Sequence, residues 1–240
     1  MYGIYIVIDK IKLLEKALED IVDRYEKISF SSSLGAEDMV LSHIIAKNNY
    51  PIEVFTLDTG RLHEETYHLM QKVQDTYDNQ LKIVFPEASD LESFVNSQGI
   101  NAFYQSIDSR KSCCQIRKVE PLRRALKNRE VWITGLRRQQ AVTRGAIETF
   151  GWDESMQINK LNPMLEWTHN DVWQFIKDND VPYNALHDKG FPSIGCSPCT
   201  RAITVGEDER AGRWWWESPE TKECGLHVAS TDLGSRKIVA

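Results

Sequence analysis

The chain has 240 residues, a length that suits one α/β domain or one domain with an appendage. Hydrophobic residues make up 41% and charged residues 27%, which predicts a folded protein with a sizeable core and argues against disorder. The net charge of −6 provides no general attraction to nucleic acid or to anionic membranes, so we expect neither as a partner. An anionic ligand would therefore need a local basic cluster.

The sequence offers no candidate membrane segment, since no apolar stretch approaches the roughly 20 residues of a span. The apolar run at residues 3–8 is too short for a signal-peptide core and is followed at once by Asp9 and Lys10. We therefore expect a cytoplasmic protein with reduced thiols. The five cysteines are an odd number at uneven spacing, which favours metal or redox chemistry over a disulfide framework.

Hydrophobic periodicity predicts alternating helices and strands in the first half of the chain. Apolar residues at helical spacing indicate an opening helix, at Ile11, Leu14, Leu18, Ile21, Val22 and Tyr25. Helices are predicted at residues 36–48 and 63–77, and strands at 27–31, 52–57, 81–85 and 131–134. This alternation predicts an α/β fold with a mostly parallel, doubly wound sheet.

Ligands of such sheets bind outside the carboxyl ends of the strands, where three small polar loops fall, at residues 31–35, 58–60 and 134–138. The second half of the chain is less regular. Thr168 followed by Asp171 predicts a helix N-cap, with the helix running to about Lys177. Residues 181–200 are rich in Pro, Gly and Asn, which indicates a loop, and a mobile C-terminal tail is predicted after Glu217.

Four of the cysteines form two close groups. Cys113 and Cys114 are adjacent, whereas Cys196 and Cys199 form a C-x-x-C motif. Four thiolates suffice for a [4Fe–4S] cluster or a zinc ion, and the divergent side chains of adjacent cysteines suit two corners of a cubane better than one tetrahedral ion. From the residues alone, an iron–sulfur cluster, a zinc site, and a thioredoxin-like C-x-x-C beside two buried cysteines all stay open.

Cys224 stands apart from the other cysteines, within the sequence Lys-Glu-Cys-Gly-Leu-His at residues 222–227. Cationic neighbours favour the thiolate, and Gly225 allows the backbone to approach a substrate closely. Cys224 is therefore a candidate nucleophile, with a small buried hydrophobic residue as the alternative.

The small residues at 31–35 lie between a strand and a helix, where exposed backbone N–H groups and the helix N-terminus favour phosphate or sulfate. A serine-rich helix cap is the alternative, because the pattern is neither Walker A nor G-x-G-x-x-G. Basic residues cluster later in the chain, at Arg117, Lys118, Arg123, Arg124, Arg137, Arg138, Arg144, Arg201, Arg210 and Arg213. On a helix, Lys118 would lie one turn after Cys114 and near any cluster.

Taken together, these motifs resemble the assimilatory adenosine 5′-phosphosulfate (APS) reductases, relatives of the 3′-phosphorylated (PAPS) reductases in the adenine-nucleotide α-hydrolase-like group. The resemblance covers residues 29–227 and rests on segments 31–38, 57–61, 113–118, 135–144, 195–201, 206–216 and 222–227. It implies a nucleotide-binding α/β domain at residues 1–205 that carries an iron–sulfur site. It also implies a C-terminal segment at 206–240 with the catalytic cysteine.

The resemblance further implies a mechanism. Cys224 attacks the sulfur of APS, AMP leaves, and the S-sulfocysteine is resolved by thioredoxin or a similar dithiol, which releases sulfite. A [4Fe–4S] cluster with a structural and electrostatic role is implied, on Cys113, Cys114, Cys196 and Cys199. The approach of a thiolate to an anion requires positive charge around the sulfate and α-phosphate.

The implied substrate-binding residues fall into three groups. The serine loop is expected to hold phosphate oxygens, through Ser31, Ser32, Ser33 and Gly35. The strand ends are expected to hold adenine and ribose, through Leu57, Thr59 and Gly135. The positive charge is expected from Lys118, Arg144, Arg210 and Arg213, while His227 assists docking of the tail. Oligomeric state is left open, with a homo-oligomer allowed.

Three other readings stay open. A PAPS reductase, or an enzyme that accepts both nucleotides, would keep the same nucleophile. An ATP-using relative that thiolates tRNA would carry Ser-Gly-Gly-x-Asp-Ser in its first loop, which residues 31–38 lack. A zinc-stabilised nucleotide-binding module would leave Cys224 unexplained. The continuation of the chain beyond His227 departs from the family pattern.

Overall fold

The computed structural model describes residues 2–78, 80–140 and 147–218, with side chains from residue 8 onward. Six strands form its sheet: β1 (Ile28–Ser31), β2 (Glu53–Leu57), β3 (Leu81–Val84), β4 (Val131–Ile133), β5 (Phe150–Asp153) and β6 (Ile158–Leu161). Their order is β3-β2-β1-β4-β6-β5, and all neighbours are parallel except β5, which pairs antiparallel with β6. The predicted mostly parallel α/β sheet is confirmed.

The helices are α1 (Tyr2–Val22), α2 (Ala36–Lys47), α3 (Glu64–Thr76), α4 (Ala88–Gln98), α5 (Ile107–Cys114), α6 (Glu120–Leu126) and α7 (His169–Asp178). The bounds of α2, α3 and α7 lie within two residues of the prediction, whereas α1 begins nine residues before Ile11 and ends three residues before Tyr25. The sequence analysis missed α4, α5 and α6, and also the β5–β6 hairpin. The hairpin escaped because β5 is an edge strand that exposes Phe150 and Trp152, so it lacks an apolar run.

Hydrophobic side chains pack against both faces of the sheet. Val54 and Ile133 belong to the larger core with α1, α2 and α7. Their strand neighbours Phe55 and Trp132 belong to a second cluster, with Leu122 of α6. Because successive strand residues point to opposite faces, this alternation places a packed layer on each side, as the doubly wound prediction requires.

Within the described ranges, no helix is both long enough and apolar enough to cross a bilayer. The division of the chain at residues 205 and 206 stays a prediction. The predicted mobile tail after Glu217 lies, apart from Ser218, outside the described residues.

The predicted N-cap of α7 is confirmed as a reciprocal capping box. Thr168 Oγ1 accepts a hydrogen bond from the backbone N of Asp171 at 3.2 Å, and Asp171 Oδ2 accepts one from the backbone N of Thr168 at 2.7 Å. Lys10 of α1 donates to the same carboxylate at 2.6 Å. The cap therefore fixes α7 against α1.

We predict that Thr168→Ala lowers the free energy of unfolding by about 1 kcal/mol, because one N-terminal amide of α7 loses its acceptor. Urea unfolding followed by circular dichroism measures the change. Gln174→Ala, on the exposed face of the same helix, is the control and should leave stability nearly unchanged. Equal losses in the two variants would contradict the role of the cap.

Candidate functional site

A cavity of about 240 Å³ lies at the carboxyl ends of β1, β2 and β4. It is lined by every predicted substrate-binding residue that the structure describes: Ser31, Ser32, Ser33, Gly35, Leu57, Thr59, Lys118, Gly135, Arg210 and Arg213. These residues meet because parallel strands end at the same edge of the sheet. Two further predicted residues, Arg144 and His227, lie outside the described residues, as does Cys224.

The serine loop, residues 31–35, is held in a defined shape at the edge of the cavity. Trp132 Nε1 donates a hydrogen bond to Ser31 Oγ at 2.7 Å. Leu34 is buried with φ at 60°, a left-handed conformation that is costly for leucine. In the described chain no side chain caps α2 at Gly35, so the first amides of this helix are available to an anion.

Asp38 links the serine loop to the loop after β4. Its Oδ2 accepts hydrogen bonds from the backbone N and the hydroxyl of Ser33, both at 2.6 Å. A Cβ at Gly135 would lie 2.1 Å from Asp38 Oδ1, so only glycine permits this approach. While Asp38 is ionised, the Ser33 hydroxyl gives its proton to the carboxylate and can only accept from a ligand.

The pKa of Asp38 is raised to about 6, chiefly by burial, although hydrogen bonds from Ser33 oppose the rise. The carboxyl therefore changes charge near neutral pH, inside a cavity expected to hold an anion. The sequence analysis included Asp38 in the 31–38 motif but gave it no role. Its local signal was weak, because Asp38 follows Glu37 in the first turn of α2, where acidic residues are common.

The four predicted metal-binding cysteines share one cluster with Phe103 and Trp214. Cys196 and Cys199 are buried, and Cys113 and Cys114 pack against them while partly buried. None of these four cysteines forms a disulfide. Within the described ranges, no three His, Cys, Asp or Glu side chains are spaced to hold a single metal ion.

Polar and cationic groups surround these thiols. Burial raises the pKa of Cys199 to about 12 and also raises the pKa of Cys113, while the charge of Lys118 acts to lower both. Lys118 lies in the π-helical turn Gln115–Val119 that follows Cys114, and such turns are frequent at functional sites. Thr59 Oγ1 lies 3.2 Å from Cys196 Sγ, so its hydroxyl faces the cysteines as well as the cavity.

Arg213 joins the cysteine cluster to the cavity. Its guanidinium lies 4.7 Å from the ring centre of Trp214 and donates to the carbonyl of Ile194 at 3.2 Å. A Cβ at Gly195 would fall 2.3 Å from Arg213 Nη2, so glycine makes room for the guanidinium. The positive charge of Arg213 acts to lower the pKa of Cys199.

The cavity also contains residues to which the sequence analysis assigned no site role. Arg137 is buried and donates to Glu37 at 2.6 Å, with Glu209 at 3.5 Å, so its charge is balanced locally. His187 and Trp173 also line the cavity, and burial lowers the pKa of His187. Glu37, Arg137 and Glu209 lay in segments that carried the family resemblance, whereas His187 and Trp173 gave no local signal.

Comparison with known proteins identified a matching family model and similar reductases. A family model described as the phosphoadenosine phosphosulfate reductase domain matches residues 27–202. The adenosine 5′-phosphosulfate reductase of Burkholderia cepacia is 50% identical over 221 residues, which cover 92% of this chain and 88% of the relative. That of Allochromatium vinosum is 50% identical over 210 residues, covering 88% and 82%.

A solved structure is also similar to this chain. It is the phosphoadenylyl-sulfate (PAPS) reductase from Candida auris in a phosphate complex, with 28% identity and a TM-score of 0.68. The alignment covers 79% of this chain and 90% of that protein.

We predict that the affinity for adenosine 5′-phosphosulfate rises as the pH falls from 7.5 to 5.5. The pKa of Asp38 is about 6, above its ordinary value of 3.8, so the carboxyl is mostly ionised at the upper pH and mostly neutral at the lower one. Loss of one nearby negative charge should make the binding free energy about 1 kcal/mol more favourable, which lowers the dissociation constant about fivefold. Calorimetry on the Cys224→Ser variant measures the dissociation constant without reaction at that thiol.

Asp38→Asn is the control for this pH dependence, because an amide carries no charge at either pH. Its affinity should change much less across the same range. A pH slope that survives in Asp38→Asn would assign the effect to another group, such as a histidine of the cavity.

Proposed function

Because this chain belongs to the phosphoadenosine phosphosulfate reductase family, we propose that it reduces adenosine 5′-phosphosulfate to sulfite and AMP. The observation that carries the proposal is 50% identity to two APS reductases over most of the chain. It is supported by a cavity that gathers the ligand-binding loops beside four cysteines.

The reaction proceeds in two steps. The thiolate of Cys224 attacks the sulfur of the substrate, forming an S–S bond while the bond from sulfur to the bridging phosphate oxygen breaks. AMP leaves with that electron pair. A dithiol such as thioredoxin then attacks Cys224 Sγ, sulfite departs, and the second thiol of the reductant closes a disulfide. The dithiol thus supplies both electrons, and Cys224 returns to its starting state.

The charge distribution of the cavity suits this chemistry. Lys118 and Arg213 lie where the cavity meets the cysteine cluster, and both act electrostatically on Cys199. Arg210 also lines the cavity. These cations would hold the sulfate and α-phosphate and reduce repulsion of the incoming thiolate. The amides at the start of α2, with Ser31 and Ser32, would hold the phosphate oxygens.

The four clustered cysteines fit a [4Fe–4S] cluster. A cubane attaches each cysteine to a different iron, so four thiols in one buried environment meet its requirement. The indole N–H of Trp214, in the same environment, has no hydrogen-bond acceptor among the described residues, and a sulfur of a bound cluster would provide one. When bound, the cluster would supply a rigid link between the two cysteine segments and a local electrostatic field.

We predict that anaerobically purified protein is brown and contains iron and acid-labile sulfide in equal amounts. Replacing any one of Cys113, Cys114, Cys196 and Cys199 by Ser should reduce the iron content and the stability together, because metal binding and folding are coupled. Cys224→Ser is the matched control and should keep full iron content. A colourless, fully active zinc protein would contradict the iron–sulfur assignment.

We predict that Cys224→Ser abolishes turnover while substrate binding is kept. Wild-type protein mixed with APS and no reductant should gain the mass of a sulfonate group, and peptide mapping should place it on Cys224. Intact-mass spectrometry provides the measurement. An adduct on another residue, or normal turnover by the serine variant, would reject Cys224 as the nucleophile.

The choice between APS and PAPS depends on the charge near the ribose 3′ position, where PAPS carries its extra phosphate. Arg61 follows Leu57 and Thr59, which the resemblance assigns to adenine and ribose, so it is a candidate for contact with that position. Its guanidinium instead donates to the carbonyl of Ile100 at 3.0 Å and to Asn101 Oδ1 at 2.9 Å. It also lies 5.2 Å from the ring centre of Phe103. Because these contacts engage the Arg61 guanidinium, it does not offer its charge to a 3′-phosphate. The arrangement therefore favours APS over PAPS.

We predict that kcat/KM for APS exceeds that for PAPS by at least about tenfold, which corresponds to roughly 1.4 kcal/mol of transition-state discrimination. Competition between the two nucleotides with thioredoxin in excess measures this ratio. Arg61→Ala should leave the ratio unchanged. Equal specificity constants, or a preference for PAPS, would favour the second reading of a PAPS reductase, the activity of the similar Candida auris protein.

A further inference from the structure

A buried ion pair connects α5 to the last residues that the structure describes. Arg110 Nε donates to Glu217 Oε1 at 2.9 Å, and Arg110 Nη2 donates to Glu217 Oε2 at 2.7 Å. The side chains are only 0% and 3% exposed, so both charges are removed from water. Two parallel hydrogen bonds fix the orientation of the carboxylate as well as its distance.

The ion pair is built onto the cysteine cluster. The Arg110 guanidinium lies 4.8 Å from the ring centre of Trp214, which packs with Cys196 and Cys199. Arg110 also precedes Cys113 by one turn of α5. The backbone N of Glu217 donates to the carbonyl of Trp214 at 2.9 Å. The position of Glu217 therefore depends on both cysteine segments.

Glu217 also lies close to the candidate nucleophile in sequence. Cys224 follows seven residues later, a stretch that spans at most about 25 Å when fully extended. Trp214, whose carbonyl binds Glu217, itself lines the cavity. A fixed Glu217 thus limits the volume in which the Cys224 thiol can be found and raises its effective concentration at the substrate.

Stability alone gives a weak reason for this pair. Burying two charges carries a large desolvation penalty, and well-packed apolar side chains of similar size often stabilise a protein equally well. What an apolar pair lacks is the bidentate geometry that fixes one orientation. Resting on the proposed function, we propose that Arg110 and Glu217 are positioning residues that hold the start of the C-terminal segment so that Cys224 reaches the cavity.

The test measures positioning separately from folding and binding. Glu217→Gln keeps the shape of the side chain but removes its charge, and Arg110→Met/Glu217→Leu replaces the whole pair. We expect both variants to keep the iron content and the APS dissociation constant of the wild type. We expect the sulfonate adduct on Cys224 to form about tenfold more slowly in single turnover without reductant. With APS present in both samples, trypsin should cleave after Lys222 faster in the variants than in the wild-type protein.

Glu120→Gln is the matched control, because Glu120 forms an exposed ion pair with Arg123 at 3.3 Å on α6. It should form the adduct at the wild-type rate. If Glu217→Gln folds poorly, the apolar double variant provides the same comparison. Adduct formation at the wild-type rate in a folded variant of the pair would overturn the positioning role. Wild-type protein that forms no adduct on Cys224 would instead refute the proposed function.

Discussion

The convergence of four cysteine thiols in one buried cluster constrains the rest of the site. One pair ends α5, and the other consists of Cys199 in the turn Ser197–Cys199 and Cys196 immediately before it, so two distant segments must be held against each other. Burial raises the pKa of Cys199 and so favours its protonated thiol. Ligation to metal requires the opposite form. The charges of Lys118 and Arg213 act to lower the pKa of Cys199 and would reduce that cost.

The same cations give the cavity its polarity. Lys118 and Arg213 line the cavity and act electrostatically on Cys199, whereas the charge of Arg137 is balanced by Glu37 and Glu209. An anionic ligand in the cavity would therefore be attracted by Lys118 and Arg213. A protein of net negative charge can thus hold an anion, because the charge that matters is local.

Two glycines allow close contacts around the cavity because they carry no side chain. Gly135 allows Asp38 to join the loops after β1 and β4, and Gly195 leaves space for the Arg213 guanidinium. Beyond the cavity, the buried Arg110–Glu217 pair extends the order of the cysteine cluster to the beginning of the C-terminal segment. The cysteine cluster, the cavity and the Arg110–Glu217 pair are therefore contiguous parts of one packed unit.

The sequence by itself determined the parallel α/β sheet, the N-cap of α7 and the grouping of the ligand-binding loops, because these depend on local periodicity, caps and strand ends. It also identified the four cysteines as one set, through motif resemblance. Only the tertiary structure decided that burial raises the pKa of Asp38 and that the Thr59 hydroxyl faces Cys196. It also decided that Arg61 contacts residues 100 and 101. It alone paired Arg110 with Glu217, since contacts between residues more than a hundred positions apart leave no local pattern.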